Sequence, residues 1–197
     1  KTNSLYCGDL SNFKATLEVF KKLYSKSRKV DAIIVCTGKS SKISNLENDK
    51  RYLNSFESNF LTVSNTIEAY QKIFKNKPTK IIVLSSIAGI KNIDAPIEYS
   101  ISKSALNYYC KLKALELSKF KININVISPG NILNKNNNWD LKNKLNKMKV
   151  KSYIKKNVPL NKFCDPSQIL ALCELLISDK GNFYQGANLV LDGGQSI

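Results

Sequence analysis

Short apolar runs alternate with long amphipathic ones along this chain, and that alternation leaves few folds open. Residues 31–38, 80–84, 122–128 and 187–192 are brief and rich in β-branched side chains, too short for helices, and read as strands. Between them lie helical patterns. One starts at Ser11, a good N-cap. A long one over 48–75 puts Leu53, Phe56, Phe60, Val63, Ile67 and Tyr70 on one stripe. Another over 97–120 aligns Ile97, Ile101, Ala105, Tyr108, Leu112 and Leu115, which is read as its core face. A last one over 167–178 follows Pro166, a residue suited to a first turn. Strands separated by helices pair in parallel, because a parallel pair needs a crossover connection. The expected fold is α/β, a Rossmann-like doubly wound parallel sheet in three layers, as one domain over residues 1–197.

The stretch 84–103 carries the chemistry. Ser86 ends a strand, where open α/β sheets place their ligands. Tyr99 and Lys103 stand four apart, neighbours on one helix face. A phenol titrates near ~10 and is a poor proton donor or acceptor at neutral pH. An ammonium one turn away favours the phenolate and lowers that value. Tyr99 could then protonate a carbonyl oxygen or deprotonate an alcohol, with Ser86 holding the same oxygen. A lone Tyr-x3-Lys is more often an amphipathic helix residue beside a solvated charge. The chain has no histidine, which removes Ser-His-Asp and Cys-His schemes and most zinc sites. Proton transfer must use tyrosine, lysine or a carboxylate, and no metal is expected.

Mid-helix Asn59 sits among Phe56, Phe60 and Val63. Asparagine disfavours helix interiors and a buried amide needs partners. It is either functional or a structural residue bonding nearby backbone.

Taken as a set, the Ser86-to-Tyr99 spacing, Ala88-Gly89 after the serine and Ser102-Lys103-Ser104-Ala105 resemble the short-chain dehydrogenase/reductase family, of the beta-ketoacyl-reductase-like type. The tail resembles it too, through to the closing Asp192-Gly193-Gly194. The resemblance spans essentially the whole chain. It implies an NAD(P)-dependent oxidoreductase passing hydride between nicotinamide and a carbonyl or secondary alcohol. Catalysis would rest on Asn59, Ser86, Tyr99 and Lys103, with Tyr99 and Lys103 also in the cofactor site and Lys103 bonding the nicotinamide ribose. Asp9 would contact the cofactor's adenine, Gly38 would lie beside the adenosine, Pro129 and Gly130 would belong to the cofactor site, and the Ile132 backbone would hold the carboxamide. A homotetramer built on the helices over 48–75 and 97–120 is implied, with Tyr109 a candidate interface residue.

The match departs at three places. Val35-Cys36-Thr37 replaces the family's Asn-Asn-Ala before Gly38, and Asn134 replaces a threonine. The family's glycine-rich phosphate loop belongs to a first βαβ unit, expected upstream of Lys1, so the fold is expected to be N-terminally incomplete. The residues that choose between NAD and NADP belong to that unit.

The formal charge is +16, and residues 134–162 hold nine lysines against the single acid Asp140. In the family this segment is the substrate lid. Its charge suggests an anionic substrate, a sugar nucleotide or an acyl thioester carrier, through Lys142, Lys144, Lys147 and Lys149. A solvated helix reads equally well. Two rivals are a non-catalytic dinucleotide sensor or scaffold, and a nucleic-acid-binding protein. The second is weakened because Arg28 and Arg51 are the only arginines. Five cysteines, odd in number and without a Cys-x2-Cys pair, read as reduced, buried thiols of a cytoplasmic protein. No apolar run approaches the ~18 residues of a membrane span, and no signal peptide is recognised.

Overall fold

A computed structural model describes residues 4–40, 47–135 and 137–197. Helix α1 (Phe13–Lys26) leads to β1 (Ala32–Val35), then α2 (Asn48–Phe56), a π-helical turn (Glu57–Leu61) and α3 (Thr62–Phe74). β2 (Thr79–Leu84) passes through a 3₁₀ turn (Ile87–Gly89) to α4 (Ile97–Leu117). β3 (Ile122–Pro129) is followed by α5 (Asn138–Leu145), α6 (Lys147–Asn157), α7 (Pro166–Ile177) and β4 (Asn188–Leu191).

All four strands pair in parallel in the order β1-β2-β3-β4. Ile81, Ile82 and Val83 of β2 are buried on both faces, as the unbroken apolar run requires. Ile81 and Val83, with Ile122, Ile124 and Val126, pack against Phe20, Ile67, Phe74 and Leu106 from α1, α3 and α4. Ile82 and Ile127 point the other way, beneath Ile169, Cys173 and Leu176 of α7. The two-residue period of the strands thus sends helices to both faces. The doubly wound, three-layer expectation holds.

The Ile-Asn alternation of β3 marks no half-exposed strand. Asn125 is buried, donating to the Tyr184 carbonyl at 2.9 Å and accepting from the Ala187 amide at 3.0 Å. It pins the loop that feeds β4.

Three local expectations change. The N-cap of α1 is Asn12, whose side chain accepts from the Ala15 amide, while the Ser11 hydroxyl is taken by Asp9. The long helix over 48–75 widens into a π turn around Asn59. The stripe Ile97, Ile101, Tyr108, Leu112, Leu115 of α4 is exposed, not core. The inward face of α4 carries Glu98, Ser102, Lys103, Leu106, Cys110, Lys113, Ala114 and Leu117. Its polar members serve specific partners: Lys113 bridges Glu68 at 2.7 Å and Glu116 at 3.0 Å. This apolar stripe does not meet the chain's own core.

Of the cysteines, Cys110 and Cys173 are buried and Cys164 is half-buried, whereas Cys7 and Cys36 are exposed. None is paired. Among the described residues no helix is long and apolar enough to cross a membrane.

Candidate active site

Parallel strands deliver their following residues to one edge of the sheet. Gly38 comes after β1, Ser86 after β2, and Pro129-Gly130 at the end of β3. Ser86 leaves β2 in an extended conformation and caps the 3₁₀ turn, its Oγ accepting from the Ala88 amide at 3.1 Å. Its own proton is then free to be donated. The Ser86 hydroxyl meets the Tyr99 phenol.

Gly89 explains the close seating of that turn on α4. A Cβ there would lie 2.7 Å from the Lys103 carbonyl carbon and 2.8 Å from the Ser104 amide nitrogen. Only glycine lets the 3₁₀ turn rest on the helix backbone beside Lys103.

Lys103 is 2% exposed, and its ammonium donates to the Leu84 carbonyl at 3.3 Å. It lies 5.9 Å from the centre of the Tyr99 ring. Burial pulls its pKa down to about 8. The sequence reading has this lysine lowering the Tyr99 pKa. In the structure burial raises the Tyr99 pKa, and the Ser86 hydrogen bond is the effect that opposes it. The lysine faces the ring and a backbone carbonyl, and desolvation disfavours its charged form. Tyr99 is therefore a neutral phenol at neutral pH, the form that gives a proton away.

A pH test follows. The unfolded chain binds a proton at Lys103 up to the usual value of 10.5, while the folded chain releases it from about 8. Between those values the unfolded state carries more protons, so this group makes wild-type stability rise with pH; below them its penalty is fully present. Urea unfolding near pH 7 and near pH 10 is expected to show wild type gaining about 2 kcal/mol on Lys103→Met across that interval. Parallel curves for the two proteins would mean that Lys103 is not desolvated.

Asn59 is fully buried inside the π turn. Its amide donates to the Ser55 carbonyl at 2.9 Å and to the Lys39 carbonyl at 3.1 Å, and its oxygen accepts from the Lys39 amide at 3.0 Å. It clamps the loop after β1 onto the helix. Gly38 has φ +145°, and a Cβ there would fall 2.8 Å from Asn59 Oδ1 and 3.0 Å from Lys103 Nζ. Asn59, Gly38 and Lys103 therefore meet at one point.

Asp9 and Gly38 share an open cleft of about 470 Å³ with Cys36 and Thr37. Two hydrogen bonds donated by the Ser11 hydroxyl and amide hold the Asp9 carboxyl below its usual pKa. Across the sheet edge, Gly130 approaches Asp192 so closely that a Cβ would lie 2.9 Å from the Asp192 Cα. The Ile132 carbonyl accepts from Asn137 Nδ2 at 2.7 Å. The structure thus gathers Gly38, Asn59, Ser86, Tyr99 and Lys103, places Asp9 along the same cleft as Gly38, and puts Pro129, Gly130 and Ile132 at the end of the next strand.

Two supporting groups escape sequence reasoning. Ser55 Oγ donates to the Glu98 carbonyl at 3.0 Å and lies 3.1 Å from Ser102 Oγ, fastening α2 to α4 beside Tyr99. Tyr153 Oη accepts from Asn131 Nδ2 at 3.1 Å and Gln195 Nε2 at 3.2 Å, with Trp139 and Phe163 stacked around it. Small hydroxyls on two helices give no signal until the pairing of those helices is known.

The family model for enoyl-(acyl carrier protein) reductase matches residues 1–196. An NAD-dependent glycerol dehydrogenase of Listeria innocua is 32% identical over 118 residues, 60% of this chain and 44% of that enzyme. A 3-oxoacyl-(acyl-carrier-protein) reductase of Buchnera aphidicola is 25% identical over 189 residues, 94% of this chain and 75% of the relative. The crystal structure of L-sorbose reductase from Gluconobacter frateurii superposes with a TM-score of 0.83 at 21% identity, over 96% of this chain and 75% of that one. With a family model matched along nearly all its length and relatives of the same type, this chain belongs to the short-chain dehydrogenase/reductase family.

Proposed function

We propose that the protein is a nicotinamide-dependent oxidoreductase acting on a carbonyl or secondary alcohol. The observation that carries this reading is the convergence of Ser86, Tyr99 and Lys103 at the sheet edge beside Gly38. The relatives' names, which include an NAD-dependent dehydrogenase, support it.

The residues fit such a cofactor. The Lys103 ammonium has three N–H donors and one protein acceptor, Leu84 O, among the described residues, so donors remain for ribose hydroxyls. Gly38 leaves the floor of the cleft open, and Asp9 offers an ionised acceptor on its rim. Pro129, Gly130 and Ile132 present backbone at the next strand end. When bound, NAD or NADP supplies or accepts the hydride. Tyr99 gives its phenolic proton to the carbonyl oxygen, or takes it back from the alcohol. Ser86 has one O–H to give: it goes to the Tyr99 oxygen in the free protein and turns to the substrate oxygen when substrate is bound. Asn59, by clamping the Lys39 backbone, fixes the loop beside Lys103 and completes a proton route through that lysine. The test is nicotinamide oxidation across a panel of ketones and secondary alcohols, phosphorylated and not. Turnover with none of them, by a protein that binds the dinucleotide, would favour a sensor or scaffold.

The substrate is anionic in this reading, given the basic segment over α5 and α6. The unpaired thiols fit a cytoplasmic protein.

The exposed stripe of α4 supports self-association. Leu115 is 76% exposed and Tyr108 65%. Tyr109, the residue singled out from sequence, instead packs against Phe60 at 5.2 Å and is half-buried. Burying apolar surface of this kind stabilises by about 25 cal/mol per Å². Sedimentation velocity is expected to show wild type as a dimer or tetramer and Leu112→Glu/Leu115→Glu as a monomer. An unchanged sedimentation coefficient would remove the interface.

A further inference from the structure

A cleft of about 890 Å³ lies between α6, the segment 91–94 and the C-terminal turn. Lys149, Lys155 and Lys156 line it from α6, facing Asp94 and Lys91, whose ammonium donates to the Ile197 carbonyl. None of the lysines considered from sequence except Lys149 reaches it. Lys144 is paired with Asp140 at 2.7 Å, and Lys142 covers the Trp139 ring at 4.5 Å.

We infer that this cleft is a subsite for the phosphate-bearing end of the substrate; the inference rests on the oxidoreductase reading above. Three features carry it. First, Lys149, Tyr153 and Lys156 recur at i, i+4 and i+7, one face of α6, so the charges are aimed into the cleft by the helix itself. Second, no ion pair among the described residues takes up Lys149, Lys155 or Lys156, although Lys113 and Lys144 do find carboxylates. Like charges lining one concavity repel until an anion arrives, and a concave wall focuses their field. Third, the wall is built in advance. Tyr153 is held by Asn131 and Gln195, which fastens α6 to the end of β3 next to Gly130.

The opposite wall belongs to the loop between the two proposed catalytic residues. Segment 91–94 is part of the chain that runs from Ser86 to Tyr99. A ligand held by the lysines of α6 therefore faces the loop that joins Ser86 to Tyr99. A phosphate group, with up to two charges and three acceptor oxygens, can meet several ammonium groups at once, whereas a single carboxylate satisfies fewer.

Inorganic pyrophosphate is the probe, because its binding is read without turnover. Titration calorimetry on wild type is expected to give saturable binding, weakened at least tenfold in Lys149→Gln/Lys156→Gln. Lys147→Gln/Lys151→Gln removes the same charge from the same helix outside the cleft and is expected to bind like wild type. Thermal unfolding of all three checks that they are folded. Absence of binding to wild type, or equal weakening in both variants, would overturn the subsite. So would displacement of pyrophosphate by NADH or NADPH, which would assign the lysines to cofactor phosphates. Failure of the oxidoreductase reading is separate: it would appear as absence of dinucleotide binding while pyrophosphate still bound.

Discussion

Tyr99→Phe is expected to lower turnover by ~10²–10⁴-fold, the span that a positioned acid or base contributes, while leaving dinucleotide affinity within about twofold. The phenol shares a hydrogen bond with Ser86, and the chain has no histidine to take its place. Removing one oxygen leaves the ring packed at the base of α4, so folding is untouched. The Lys103 ammonium lies 5.9 Å from the centre of the ring, so it does not take the phenol's place beside Ser86. Steady-state kinetics with the best substrate of the panel, beside nicotinamide fluorescence titration, separates the two readouts. Turnover within tenfold of wild type would remove Tyr99 from the acid/base role. Loss of turnover and binding together would place it in cofactor binding instead.

Gly89→Ala is the second large effect, and it acts through position. The added methyl would sit 2.7–2.9 Å from backbone atoms of Lys103 and Ser104, which cannot rotate away as a side-chain tip can. The 3₁₀ turn must lift from α4, carrying Ser86 away from Tyr99. Overpacking of this kind costs about 1–3 kcal/mol, and the upper end is expected because backbone opposes backbone. Turnover is expected to fall more than tenfold, since a displacement near 1 Å in a catalytic group can cost ~10²-fold. Urea unfolding and kinetics on one preparation check both. Wild-type stability would mean that the turn and the helix are less tightly seated than their backbones indicate.

Much of the architecture was legible because its signals are local. β-branched runs over 80–84 and 122–128 became β2 and β3, and the Asp165-Pro166-Ser167 entry became the N-cap and first turn of α7, with Gln168 closing a capping box. Ser86, Tyr99 and Lys103 were legible because strand-end and helix positions are fixed by the same periods. Pairing between distant elements was not. The apolar stripe of α4 faces outward, while its inward side mixes Leu106, Ala114 and Leu117 with Lys103 and Lys113, whose partners Leu84 and Glu68 lie elsewhere in the chain. The sign of the Tyr99 shift depends on burial and on where the Lys103 ammonium points. Composition marked 134–162 as basic, but which lysines share a cleft depends on how α5 and α6 fold back on one another. Asn59 broke a helix rule, and the structure gives the reason in the π turn that it stabilises.

The most direct measurement is a fluorescence titration of the purified protein with NADH and with NADPH, repeated on Lys103→Met. Saturable binding of at least one dinucleotide, weakened about tenfold in the variant by loss of the ammonium donors, is the predicted result. No binding of either, or equal binding by both proteins, would contradict a nicotinamide site at Lys103 and leave the Ser86–Tyr99 pair without a hydride to follow.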